Sequence, residues 1–351
     1  MRDRYLPLVE KIRTRKLFFF LGSLFFLIVV VAFIKNLLVS CLLAFVLFFL
    51  LNPIVDYFER RGLSRLFSTL IPFAGIGLIL AILLPLFLPM LVNQFDSLRT
   101  DYPKFIDGIT GLIKEIQTRY SGFFTTVYKT NLAEQAQEKF TSFAQDVLKG
   151  LPEHISNSLT VIFLSPFLAF FMLLDGRELV RNIFSLVPNH FFELVLNLNY
   201  QITTQMGGFI RARLLESIIV ALVLWVGLLI IGFPYALVLA LIGGLLNLIP
   251  YLGPLIGAVP AFLIVMINGG SPSEYFSLGM VYAAAQAVDI VFVIPFVVAK
   301  IVDLHPVSVV LSVLVGAQVM GILGMIISIP LASTLKVTFS AVYRHLTEFR
   351  D

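Results

Sequence analysis

Few of the 351 residues carry charge: 13% are Asp, Glu, Lys or Arg, with four histidines and one cysteine, Cys41. A single cysteine excludes an internal disulfide, and histidines scattered without Cys or His partners offer no structural zinc site. No metal and no cofactor are therefore expected. Also absent are a glycine-rich phosphate loop, a zinc-binding histidine pair on a helix and a nucleophile elbow. Intramembrane proteolysis would need a Ser/His or paired-Asp arrangement, and Asp289 has no intramembrane Asp partner, so an enzyme is not expected. The formal charge of +4 sits mainly beside apolar stretches, where it directs topology rather than nucleic-acid binding.

What abounds is apolar side chain, 59% of the residues, and the mean hydropathy of +0.97 lies far outside the range of soluble domains. A bilayer core about 30 Å thick takes about 20 apolar residues of helix. Leu17 to Ile34, Leu37 to Val55 and Thr69 to Val92 are uncharged runs of that order, the third carrying Pro72, Pro85 and Pro89 and expected to kink. Residues 93–157 differ, with seven Lys/Arg and eight Asp/Glu among apolar residues at helical spacing. They predict a water-exposed insert of amphipathic helices. Ser158 to Leu174 returns to the membrane, with Asp175-Gly176 expected to end that helix, and Pro188 divides the amphipathic stretch that follows. Leu214 to Ile231 is the next span. Tyr235 to Ile267, rich in Gly and Pro, predicts a broken helix or re-entrant hairpin. Ser277 to Ala299 and Pro306 to Leu335 complete about eight spans, the last long enough to fold back on itself.

The expected fold is thus all-α: a polytopic transmembrane helical protein, with broken or re-entrant helices in its C-terminal half. Its expected divisions are 1–92, a basic segment and three spans; 93–157, the insert; and 158–351, the transport region. Six Lys/Arg in residues 1–16, and Arg60, Arg61 and Arg65 between the second and third spans, predict a cytoplasmic N-terminus.

An ionisable group inside a span costs about 2.5–3.5 kcal/mol on insertion scales, so each invites a reason. Asp289 has Gln286 on the same helical face and can carry a proton or bond a polar substrate; a structural role before Pro295, or pairing with Lys300 or Arg213, is the alternative. In Asn247-Leu248-Ile249-Pro250-Tyr251-Leu252-Gly253-Pro254 the prolines and glycine must leave carbonyls without helical partners. Such backbone survives at membrane depth only in protein or beside a wet cavity, and builds substrate sites in transporters; a simple kink or turn is the alternative. Glu216, with Arg211 and Arg213 just before it, reads as an interfacial salt bridge or as an ion-coupling group. Asp175, Arg177 and Glu178 read as a helix end.

Gly232-Phe233-Pro234-Tyr235, Asn247 to Pro254 with Gly257 and Pro260, Gln286, Asp289, Pro295, Leu304-His305-Pro306, and Gly316, Gly321, Gly324 and Pro330 form a recognisable order. With Asp175-Gly176 and Arg211, this order resembles the autoinducer-2 exporter family of bacterial membrane proteins over nearly the whole chain. Two departures stand out: Asp289 where a glutamate is usual, and Ala317-Gln318 for a glycine pair. The resemblance implies a multi-pass protein of the bacterial inner membrane that exports a small polar solute such as autoinducer-2, or exchanges sodium for protons. The expected pathway residues are Asn247, Pro250, Gly253, Pro254, Gln286, Asp289, Glu216 and Arg211. Expected partners are the lipid bilayer, the solute, a proton or sodium ion and further copies of the chain, with no nucleic acid. A membrane scaffold acting through the insert is the remaining alternative.

Overall fold

The computed structural model describes residues 37–119, 132–187, 189–248, 253–291 and 304–348, together with Gly22. The basic N-terminal segment, most of the first apolar run, Pro250, Pro295 and Lys300 lie outside the described residues. Eight helices are described: α1 Leu37–Arg60, α2 Arg65–Arg119, α3 Leu132–Leu186, α4 Asn189–Ile230, α5 Ala236–Leu246, α6 Gly253–Ile267, α7 Pro272–Val288 and α8 Pro306–Glu348. No strand occurs among the described residues. The protein is a polytopic helical membrane protein.

Among the described residues, four segments are long and apolar enough to cross a bilayer: Leu37–Arg60, Arg65–Asp101, Thr160–Leu186 and Phe192–Ile230. Along α2, Leu78 and Leu86 stand 64% and 67% exposed. Water would make so continuous an apolar face a liability, whereas lipid is its natural solvent. The shorter apolar helices come in two pairs, Ala236–Leu246 with Ile256–Ile267 and Val307–Val319 with Gly324–Ser340.

Both pairs are helical hairpins, one of the arrangements that the glycines and prolines left open. In the first, α5 and α6 pack so closely that a Cβ on Gly257 would lie 2.9 Å from the Cα of Gly243. In the second, α8 turns at Gly321, whose φ of +61° suits glycine alone, and a Cβ on Gly316 would lie 2.8 Å from Ser328 Cβ. Residues twelve apart in a straight helix stand about 18 Å from each other, so the close approach requires the fold-back.

The chain divides into two compact units. The first consists of Met1–Leu78, Asn157–Ala212 and Val298–Asp351, and the second of Ile79–Ser156 and Arg213–Val297. Leu51, Val55 and Leu173 form the core of the first. A larger cluster, including Val220, Leu224, Leu228, Ala261, Leu278 and Tyr282, fills the second.

Three expectations need correction. Asp175-Gly176 does not end its helix: α3 continues to Leu186, and Gly176 keeps a negative φ. The roughly 1 kcal/mol that glycine costs inside a helix is offset because the extra turn brings Arg177 to Asp56 and Glu59. The amphipathic stretch after Pro188 and the span from Leu214 are one helix, α4. Nor does a break separate the third apolar run from the charged residues after it, because α2 runs on through Pro72, Pro85, Pro89 and Pro103 to Arg119. Pro188 does divide α3 from α4.

Candidate functional site

Four charged or amide side chains converge in the second unit, each nearly sealed from solvent: Glu216 is 1% exposed, Asn247 2%, Asp289 5% and Arg213 9%. Arg213 and Glu216 stand three residues apart on α4, hence on one face. Nη1 of Arg213 donates to Oε1 and Oε2 of Glu216 at 2.6 and 2.7 Å. Asn247, the residue that ends α5, donates from Nδ2 to Oε1 of Glu216 at 3.4 Å. The carboxyl of Asp289 lies beside that of Glu216, and its Oδ1 has no hydrogen-bond partner among the described residues.

Backbone irregularity sets these groups in place. Past Val288, α7 widens into a π turn over Asp289–Val291, a geometry often found at functional sites. The turn that ends α5 presents Asn247 to Glu216, and its own N–H returns to the carbonyls of Gly243 and Gly244. Ser217, next to Glu216, donates to the carbonyl of Gly244 at 2.6 Å and so pins the hairpin to α4. A Cβ on Gly244 would meet the Ser217 carbonyl oxygen at 3.0 Å, and one on Gly253 would lie 2.5 Å from the Cα of Asn247. Glycine is needed at both points because backbone occupies the space a side chain would take. Tyr282 completes the frame, its hydroxyl donating to the Gly257 carbonyl at 3.0 Å.

The far end of the hairpin is held from α2. Oε1 of Gln94 accepts from the N–H groups of Leu237 and Val238 at 3.1 and 3.3 Å. It thereby caps a helix whose preceding residue, Tyr235, has a φ of 58° and no capping side chain. The hydroxyl of Tyr235 donates to Asp101 at 2.6 Å.

The expected pathway residues thus separate. Glu216, Asn247 and Asp289 come together, with Gly253 packed on Asn247. Gln286 is half-buried one turn before Asp289. Pro254 lies in the first turn of α6, and Pro250 lies outside the described residues. Arg211 belongs to the first unit, where its Nη1 donates to the Phe49 carbonyl at 2.8 Å. That carbonyl lacks its helical partner because the residue four positions on is Pro53. Of the readings open for Arg213, the structure shows a buried ion pair to Glu216. Ser217 and Tyr282 escaped the sequence because a hydroxyl among apolar residues carries no pattern.

A second charged group, in the first unit, also escaped it. Arg65 bonds Asp56 and Glu59 at 3.1 and 2.7 Å, and Arg177 bonds the same two carboxylates at 2.8 Å each. Nε of Arg65 adds a bond to the Leu173 carbonyl at 2.8 Å. Two cations and two anions balance there, around the α1–α2 turn that Gly62 makes at a φ of +94°.

A family model described as that of AI-2E family transporters matches residues 19–344. The chain is 28% identical over 327 residues to YueF of Bacillus subtilis, named as a candidate transport protein, covering 90% of this chain and 86% of the other. It is 27% identical over 321 residues to a second such protein of that organism, YrrI, covering 90% and 89%. PerM of Escherichia coli, named as a candidate permease, is 28% identical over 321 residues, covering 89% of each chain.

Proposed function

We propose that this chain, which belongs to the AI-2E transporter family, is a secondary transporter that exports a small polar solute such as autoinducer-2, coupled to the movement of a monovalent cation. The observation that carries this reading is the buried Asp289 carboxyl, one oxygen without a partner, set beside Glu216 at the turn of a helical hairpin. Arg213 supplies one positive charge against two carboxyls, so a proton or a sodium ion held between them balances the cluster. Asn247 and Gln286 are the hydrogen-bonding side chains offered to the solute. The glycine contacts along α5 and α6 let the hairpin move against α4 with few side chains to disengage. We place the chain in the inner membrane as a homo-oligomer, with its N-terminus in the cytoplasm.

The carboxyl pair favours a second reading, sodium/proton exchange without an organic solute. Flux in proteoliposomes separates the two, using labelled autoinducer-2, and sodium under an imposed pH gradient, with native protein and Asp289→Asn. Autoinducer-2 movement lost in the variant supports export. Sodium-driven proton movement alone supports exchange, and fluxes unchanged by Asp289→Asn refute a role for the carboxyl in either.

A further inference from the structure

A groove of about 1130 Å³ opens in the first unit between α1, α3 and the start of α4. Its walls are largely apolar and aromatic, with Phe45, Phe48, Leu168, Phe171 and Met172 among them, and Arg65, Arg177 and Arg181 also line it. We propose that this groove binds one anionic phospholipid, its acyl chains along the aromatic wall and its phosphate at Arg181 and Arg177.

Length and charge select this occupant. Along α3 the groove is lined from Leu168 to Arg181, a span of about 20 Å at the helical rise. One leaflet with its head groups measures about 20–22 Å. A ligand with an apolar tail joined to an anionic head at that distance fits both ends at once. Three guanidinium groups line the groove against one carboxylate, Asp175. Asp56 and Glu59 hold Arg65 and Arg177, whereas Arg181 is exposed and bonds no other described residue. Its charge is therefore the one left for a phosphate. The opening keeps Phe45 and Phe171 48% and 45% exposed, contact that lipid tails supply and water does not.

The test reconstitutes the full chain in vesicles of equal phosphatidylcholine and phosphatidylglycerol, extracts it in mild detergent and counts retained lipids by native mass spectrometry. Native protein is expected to retain phosphatidylglycerol in preference to phosphatidylcholine, and Arg181→Gln to retain about fivefold less, as befits one cation at an anionic surface. Gly176→Phe blocks the groove, since a Cβ at Gly176 meets only Phe48, at 3.8 Å, and is expected to lose the bound lipid while keeping native helicity. Retention indifferent to head-group charge, or unchanged in both variants, overturns the proposal. So does efficient cross-linking between copies through Phe171→Cys in a Cys41→Ser background, which would make a second chain the occupant.

Discussion

The two units each gather buried or half-buried charge, but to different ends. In the first, Arg65 and Arg177 meet Asp56 and Glu59 with full pairing. These side chains keep 17–59% of their surface exposed, a network that water can solvate. In the second, one arginine faces two carboxyls that are almost fully sealed, and an oxygen of Asp289 is left without a partner. A matched, wet network fastens helices together, whereas an unmatched, dry one is costly unless another ion completes it. On the proposed reading, that added ion is the one the second cluster exchanges.

Removing one anion from each cluster is the sharpest way to break that comparison. Glu216→Ala removes the carboxylate that both bonds of the buried Arg213 Nη1 reach, and is expected to lower unfolding stability by about 3–5 kcal/mol. Glu59→Ala is expected to cost about 0.2–1 kcal/mol, because its partners reach water and keep Asp56. Chemical denaturation in detergent reads both, and equal losses would erase the distinction. Glycines sharpen it at intermediate size. Gly253→Ala drives a methyl group into Asn247 and is expected to cost about 1–3 kcal/mol, whereas Gly176→Ala makes only an ordinary contact with the Phe48 ring, at 3.8 Å, and gains up to about 1 kcal/mol of helix propensity.

Arg211 gives a further test, internal to the first unit. Gly207 lets α4 lie close enough for its guanidinium to reach Phe49, a Cβ there being 3.3 Å from the Phe49 ring. Arg211→Leu strands the carbonyl that Pro53 has left free, at an expected cost of about 1–3 kcal/mol. Pro53→Ala restores the helical N–H, so the double variant should recover most of the loss in the midpoint of thermal unfolding. If it recovers none, the carbonyl is not what Arg211 stabilises. The smallest expected effect is Arg177→Gln, about 0.2–1 kcal/mol and fading with added salt, because that side chain is 59% exposed.

Much of this architecture was legible because its causes are local. Apolar runs declare helices in lipid, since backbone polar groups there must be paired within the segment. That the helix breaks between α5 and α6, and that α8 can fold back near Gly321, were legible because proline and glycine act on their own residues and near neighbours. The same local signal misled at Asp175-Gly176, where a usual stop sequence is overridden by Leu173 in the core and Arg177 at its carboxylates. The long continuation of α2 past Asn93 was hidden for a related reason: charge changes which solvent a helix faces, not whether it is a helix.

The sequence by itself determined an all-helical membrane protein, the breaks in its glycine- and proline-rich stretches and which polar residues would be costly to bury, because composition and backbone chemistry act at short range. Only the tertiary structure decided that Glu216 and Asp289 share one site with Asn247, and that Arg213 serves that site while Arg211 serves a carbonyl near Pro53. Two arginines so close on one helix differ only in the direction each side chain takes, and that direction is set by which neighbour the packed helices bring within reach.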